Sequence, residues 1–362
     1  MTNQGTHRAA MRGIRGRLGA VAGLAFLGAL IGGCAPRQTL SAKELNVLAL
    51  RYVTRAATYR ENPVLRAQAV ETLQRLEGDR ALPWFREALR DEHPGVRFAA
   101  VMALGTIRHK ASEPLIRLRL ADSDPNVRVA AMFALRRLGD PGFIKEFDEI
   151  VRLNPDPAVR RNGVLALGRL GEPGAIVVLR KARDDKDDGV RLQALEAMAM
   201  LGDKDAIREL TYYASGGMGD RQAFSIEALG RTRDARCAEI LRACLRDAPH
   251  IESRLAAAQA LGALGSDAGY TLALASLRWN SPNRKLSDDP PENQVMRVRT
   301  LAAFALGAIG KADALGALQE RMEDPSDPRT QLAAATAVLQ ITREEQASPT
   351  ESPPGLSGDA RR

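Results

Sequence analysis

Around Arg97 the apolar residues are Val96, Ala99, Ala100, Ala103, Leu104 and Ile107, at −1, +2, +3, +6, +7 and +10 from the arginine. At 100° per residue these positions fall within about 140°, the buried stripe of an amphipathic helix. The spacing returns around Arg128 with Val127, Ala130, Ala131, Ala134, Leu135 and Leu138. The triplet at +6 to +8 marks off the whole chain. It reads Thr72-Leu73-Gln74, Ala103-Leu104-Gly105, Ala134-Leu135-Arg136, Ala166-Leu167-Gly168 and Ala197-Met198-Ala199. It continues as Ala228-Leu229-Gly230, Ala260-Leu261-Gly262, Ala305-Leu306-Gly307 and Ala337-Val338-Leu339. Successive offsets are 31, 31, 32, 31, 31, 32, 45 and 32 residues. Shorter apolar segments precede these helices, such as Leu115-Ile116 with Leu118 and Leu120, or Ile240-Leu241 with Leu245. A period between about 20 and 50 residues predicts one supersecondary unit stacked repeatedly. The unit is helix A, a tight Asp/Pro turn, helix B and a Gly-rich turn. The expected fold is all-α, an elongated α-solenoid of about nine pairs over residues 41–343.

Pro63, Pro94, Pro125 and Pro157 stand three residues before the arginine, in the first turn of helix B, where a missing N–H costs nothing. Asp91, Asp122 and Asp185 stand six before it, placed to offset the helix dipole or to bond that arginine. The string Asp…Pro-x-Val-Arg-x-x-Ala-Ala-x-Ala-Leu-Gly resembles the HEAT-repeat family in its short form of phycobilisome-lyase type. The resemblance implies a stacking ladder of Arg66, Arg97, Arg128, Arg160, Arg191, Arg254 and Arg299, with helix B on the concave face. Gln222 and Gln331 depart from the pattern in the arginine slot. The 45-residue step holds an Asn/Ser/Asp/Pro-rich insertion at about 279–292, expected as a loop on one face.

The first residues change the picture of charge and location. Arg8, Arg12, Arg15 and Arg17 precede an apolar run from Leu18 to Leu30, closed by Ile31-Gly32-Gly33-Cys34. That is a secretory signal pattern over 1–33, ending in a sequence that resembles a bacterial lipobox, with Cys34 as the lipidated residue. Residues 34–40 form a short linker to a Ser41-x-x-Glu44 capping box. The formal net charge is +8, but cleavage removes four arginines and leaves 48 basic against 44 acidic residues, net +4. A nearly balanced, exported chain is a poor nucleic-acid binder. The expected location is the periplasmic side of the envelope, at the outer membrane. Residues 344–362, with Ser348-Pro349-Thr350 and Pro353-Pro354, lack apolar periodicity and read as a disordered tail.

Candidate chemistry is sparse. Cys237 and Cys244 are seven residues apart on one expected helix, about 10 Å along its axis and beyond disulfide reach. His93, His109 and His250 are scattered over turns and match no zinc spacing. Deoxyhypusine hydroxylases, which are HEAT-like enzymes, use repeated His-Glu pairs; this chain has none. Asp184-Asp185-Lys186-Asp187-Asp188-Gly189 departs from a calcium loop at Lys186 and Leu195. No catalytic residue, metal or cofactor is expected, and the chain reads as a non-enzyme.

One surface stands out. Positions +1 and +5 of helix B point away from the buried stripe and hold Phe98, Met102, Val129, Phe133, Arg161 and Leu165, flanked by Arg137 and Arg169. On a concave face they would form an apolar, arginine-edged partner site. The sequence thus points to a lipid-anchored protein-binding scaffold that takes one or more proteins. Attachment of a cofactor or chromophore, or glycan binding in the envelope, is the alternative.

Overall fold

The computed structural model describes residues 40–216, 219–283 and 288–347, which belong to one compact unit. The expected signal segment, Cys34, the linker up to 39 and the tail from 348 lie outside the described residues. Within them the chain forms nine A–B helix pairs and no strand. They run α1 (Ala42–Ala56) and α2 (Pro63–Glu77), α3 (Leu82–Ala88) and α4 (Pro94–Thr106), α5 (Glu113–Leu118) and α6 (Pro125–Leu138). Next come α7 (Ile144–Leu153) and α8 (Pro157–Leu170), α9 (Ile176–Ala182) and α10 (Asp188–Met200), α11 (Lys204–Gly216) and α12 (Asp220–Arg231). The last three pairs are α13 (Ala238–Asp247) and α14 (Ile251–Ala263), α15 (Tyr270–Ser276) and α16 (Pro291–Ile309), α17 (Leu315–Met322) and α18 (Pro328–Ala347).

Local chemistry sets the helix starts. Ser41 and Glu44 form the reciprocal capping box of α1, with the Ser41 backbone N–H donating to Glu44 Oε2 at 2.9 Å. Asn62, Asp124, Asp156 and Asp187 accept from first-turn amides of α2, α6, α8 and α10. Prolines occupy the first helical position of α2, α4, α6 and α8.

The recurrent triplet is explained by how neighbouring B helices touch. A Cβ placed on Gly105 would lie 2.6 Å from Ala134 Cα, and one on Gly168 would lie 2.7 Å from Ala197 Cβ. Gly230 meets Ala260 and Gly307 meets Ala337 in the same way. The glycine of one repeat therefore faces the alanine of the next triplet, and the two backbones come into direct contact. At the 45-residue step the register slides: Gly262 meets the backbone of Ala308 and Ile309, about one helical turn beyond Ala305. The described parts of the insertion are tied down by Gln294. Its Oε1 accepts from the Asn283 N–H at 2.8 Å and its Nε2 donates to the Asp289 carbonyl at 2.7 Å.

The solenoid is not elongated. Its last helix, α18, packs along α1 and reaches α2, so the array closes on itself. Asn46 Nδ2 donates to Thr342 Oγ1 at 2.6 Å, the Thr72 and Thr336 hydroxyls lie 3.3 Å apart, and Arg343 pairs with Glu77. α18 is built for this position. Leu332, Ala333, Ala334, Ala335, Ala337, Val338, Leu339 and Ile341 are all buried, more than one helix face, because partners flank it on both sides. The terminal repeat of an open array needs a polar outer face instead. α18 also runs to Ala347, past the expected end of the array at 343.

Two outcomes follow from these contacts. Gly168→Ala should destabilise by about 1–3 kcal/mol through overpacking, although alanine is the better helix former. Gly316→Ala in α17, where nothing lies within 4 Å of the new Cβ, should stabilise by about 0.5–1 kcal/mol. Urea titration of both variants checks the opposed signs, and equal signs would contradict the seam. Amide hydrogen exchange checks closure: α1 and α18 should be as protected as α8, whereas the ends of an open array fray first.

Candidate functional site

The B helices face inward, and their side chains meet in a central hollow of about 740 Å³. Its wall takes Glu71 and Arg75 from α2, Phe133 and Arg137 from α6, Arg169 from α8 and Met200 from α10. The circuit is completed by Arg233 just past α12, Gln259 from α14, Phe304 from α16, and Arg329 and Leu332 from α18. The outer A helices contribute nothing to this wall.

Its charge is one-sided. Five arginines face a single carboxylate, Glu71, and the wall has no lysine or aspartate. Among the described residues none of the five arginines has a side-chain hydrogen bond or ion pair, and the Nε of Arg137 is fully shielded from water without an acceptor. Burial lowers the pKa of Arg137, and the neighbouring Arg108 charge lowers it further. Burial pushes the Glu71 carboxyl up, against the pull of Arg169 and Arg75. Arg75 is lowered by burial, with Glu71 acting the other way. Glu71 and Arg75 touch water yet are hemmed in by the wall, so their charges are poorly solvated.

The residues singled out from the sequence divide. Phe133, Arg137 and Arg169 do meet in the hollow, and Leu165 with Arg169 lines a smaller recess beside it. Met102 and Phe133 are not exposed anchors, however: only 3% and 1% of their surfaces are open. Val129 is buried too, and Phe98 is half-buried against the core. The cause is the close approach of α4 and α6, which brings Phe133 Cε1 to 3.1 Å from the Cβ position of Gly105. Arg161 is exposed beside Gly189, away from the hollow. Arg75 stands nine residues after Arg66, the slot that Arg137 and Arg169 fill, but in the first repeat, outside the patch read from repeats two to four; Arg233 and Arg329 share no such slot.

A second set of arginines is fully engaged. Arg66, Arg97 and Arg160 each bond the carboxylate 25 residues on, in the next repeat, through Nε and Nη2. Arg160 meets Asp185 at 2.7 Å through both atoms, and its Nη1 donates to the Asn154 carbonyl at 2.8 Å. The pairs Arg66–Asp91 and Arg97–Asp122 repeat the motif. Arg128 bonds only turn carbonyls, since the residue 25 on is Leu153. Arg191 bonds the Asp185 carbonyl and Asp188, while Arg254 and Arg299 reach the carbonyls of Leu245 and Trp279. Gln222 and Gln331 keep the carbonyl bond from the same slot, to Ala214 and Met322.

The remaining polar candidates serve the fold. His93 Nδ1 accepts from the Gly95 N–H at 3.1 Å, and His109 Nδ1 lies 2.8 Å from Ser112 Oγ. Cys237 and Cys244 are buried free thiols, each pushed up by burial. In the acidic segment Asp187 caps α10, and Asp188 pairs with Arg191 and Arg221. No cluster of His, Cys, Asp and Glu able to hold a metal, and no helix long and apolar enough to cross a membrane, occurs among the described residues.

Comparison with known proteins places these features. The family model for HEAT repeats matches residues 53–121, 112–199 and 149–221, and that for the PBS lyase HEAT-like repeat matches 218–247 and 298–324. No curated protein matches the chain in sequence. Among solved structures the chain is similar to human deoxyhypusine hydroxylase in complex with glycerol, at 18% identity and a TM-score of 0.36, covering 83% of this chain and 97% of that one. It is also similar to the complex of CpcE and CpcF of phycocyanin lyase from Nostoc sp. PCC7120, at 21% identity and a TM-score of 0.36, covering 72% and 93%. The expectation of a non-enzyme does not stand, since the solved structures similar to this chain include a hydroxylase and a lyase. Likeness at that level assigns no reaction.

The engaged arginines give a test of what is structural. Arg160 and Asp185 are nearly inaccessible, at 2% and 9% of their side-chain surfaces. Asp185→Asn leaves a buried guanidinium unpaired and should cost about 3–5 kcal/mol. The Arg160 hydrogen bond, against burial, holds Asp185 below the usual carboxylate range. Its contribution is therefore present above the unfolded value of about 3.9 and is lost as pH falls through the lower native value. Urea midpoints of wild type and variant should differ at pH 7 and converge in strong acid.

Proposed function

The chain belongs to the HEAT-repeat family, and from that premise we propose that it is a lipid-tethered binding protein of a bacterial envelope. Cys34 holds it at the periplasmic face of the outer membrane, and the inner wall of the closed array takes a protein partner. HEAT repeats as a class mediate protein–protein interactions. The observation that carries the reading is the convergence of arginine, phenylalanine and methionine side chains from separate repeats on one hollow without a single lysine. Partner surfaces are enriched in those residue types and depleted in lysine. The linker to Ser41 is only a few residues long, about 20 Å when extended, so the array stands close to the bilayer.

A second reading, attachment of a cofactor or chromophore to another protein, is favoured by the match of 218–247 and 298–324 to the PBS lyase HEAT-like repeat. It calls for a coloured or otherwise light-absorbing molecule that purifies with the protein and passes to an acceptor.

Two measurements test the proposal. Cys34→Ser should move the protein from the detergent phase of solubilised membranes to the aqueous phase; retention through acyl chains would refute the anchor. A photo-crosslinking amino acid at Gln259, in the hollow, should trap a protein in living cells, while the same probe at the exposed Leu118 should not. Adducts from Leu118 alone would move the partner to the outer face.

A further inference from the structure

The inner wall holds positive charge that the fold does not use. On the outer surface and between repeats, many arginines are matched with acids: Arg66 with Asp91, Arg136 with Glu172, Arg183 with Glu209, Arg297 with Glu252 and Asp289. The chain therefore has acids to spend on arginines where pairing is structural. In the hollow it places Arg75, Arg137, Arg169, Arg233 and Arg329 against Glu71 alone. A guanidinium Nε shielded from water without an acceptor is unfavourable, and so is crowding of like charges in a concave wall. The Nε of Arg137 meets the first condition and the wall as a whole meets the second. Such features persist where a ligand relieves them.

Resting on the reading that the inner wall binds a protein, we propose that the partner inserts an acidic polypeptide segment into this hollow. Carboxylates of the segment pair with the unengaged arginines, while apolar side chains between them lie against the exposed Met200 and the half-buried Phe304. Three properties of the wall select this ligand. The planar guanidinium matches a carboxylate through two parallel N–H donors, which an ammonium does not. The arginines come from α2, α6, α8, the turn after α12 and α18, so they ring the wall and suit several carboxylates spaced along a chain. The apolar and aromatic residues among them give a segment a surface that a small, fully charged anion would not use. The carboxylates can come from Asp and Glu side chains or from a chain end; the chemistry at the wall is the same.

The probe is a fluorescein-labelled peptide, Asp-Glu-Leu-Asp-Glu-Leu, with free or amidated C-terminus, titrated into the full-length protein in detergent and read by anisotropy. It should bind at least about tenfold more tightly than Asn-Gln-Leu-Asn-Gln-Leu, and the affinity should fall with added salt. The amidated form reports whether a chain end contributes. Arg137→Gln with Arg169→Gln should weaken binding about tenfold or more, and Arg233→Gln, at an exposed position of the wall, should weaken it in the same direction. Arg208→Gln, on the outer surface, should leave it unchanged. Glu71→Gln removes the one opposing charge and should strengthen binding, an effect that a merely damaged fold cannot produce. Equal affinity for the acidic and amide peptides would overturn the proposal. So would tighter binding of citrate or pyrophosphate than of the peptide, which would mark a small-polyanion site. If the peptide fails while Gln259 still crosslinks to a partner, the wall binds a protein of other chemistry; if both fail, the inner-wall reading falls with it.

Discussion

The array rests on the contact between a glycine of one inner helix and an alanine of the next. Gly105 on Ala134, Gly168 on Ala197, Gly230 on Ala260 and Gly307 on Ala337 let backbones meet where any larger side chain would hold them apart. Successive outer helices touch one another far less than successive inner ones. Inner helices closer than outer ones make each repeat a wedge, and wedges stacked in one sense curve. Nine of them bring α18 onto α1. The hollow, the burial of Met102 and Phe133, and the inward crowding of arginine all descend from that small-residue seam.

Two uses of arginine then sit side by side on the same helices. At the start of helix B, Arg66, Arg97 and Arg160 stitch the turn of their own repeat to the acid of the next, with donors and charge satisfied. Toward the other end of the inner helices, Arg75, Arg137 and Arg169 look into the hollow with no such partner among the described residues. The first set stabilises because both ions are enclosed together and hydrogen-bonded. The second opposes stability, since like charges share a concave wall of low polarizability. The two roles are separated by position along one helix.

Most of the repeat was legible in the sequence, because its signals are local. The triplet period, the proline at the first helical position, the Asp and Asn caps and the Ser41–Glu44 box each act within a few residues. The closure was not legible from the period, which is the same in open and closed arrays. A signal did exist in Leu332-Ala333-Ala334-Ala335, an apolar run around the last helix where an open end would be polar. Positions such as Phe133 failed for a related reason. Whether the +5 residue is exposed depends on curvature, which the glycine–alanine contacts set across repeats. Arg233 and Arg329 lie far apart in the chain, one at a left-handed turn and one in the first turn of α18; only closure brings them together. For Arg66, Arg97 and Arg160 the carboxylate partner is the acid 25 residues on, not the acid six residues before. Asp91 serves Arg66 before it through its carboxylate and Arg97 after it through its carbonyl.

Closure also couples the hollow to the stability of the whole. The wall includes Glu71 and Arg75 from α2 and Arg329 and Leu332 from α18, which stand on either side of the seam where the array meets itself. A ligand that touches both helices binds the closed array better than an opened one, and by linkage it holds the seam shut by the same free energy. Among the described residues the seam carries two side-chain hydrogen-bond contacts and the Arg343–Glu77 pair around an alanine-rich interface. The repulsion among unpaired arginines pushes against it from inside. A polyanionic segment removes that repulsion and bridges the seam at once. Occupancy and ring closure are therefore two descriptions of one equilibrium, set by the charges of the wall.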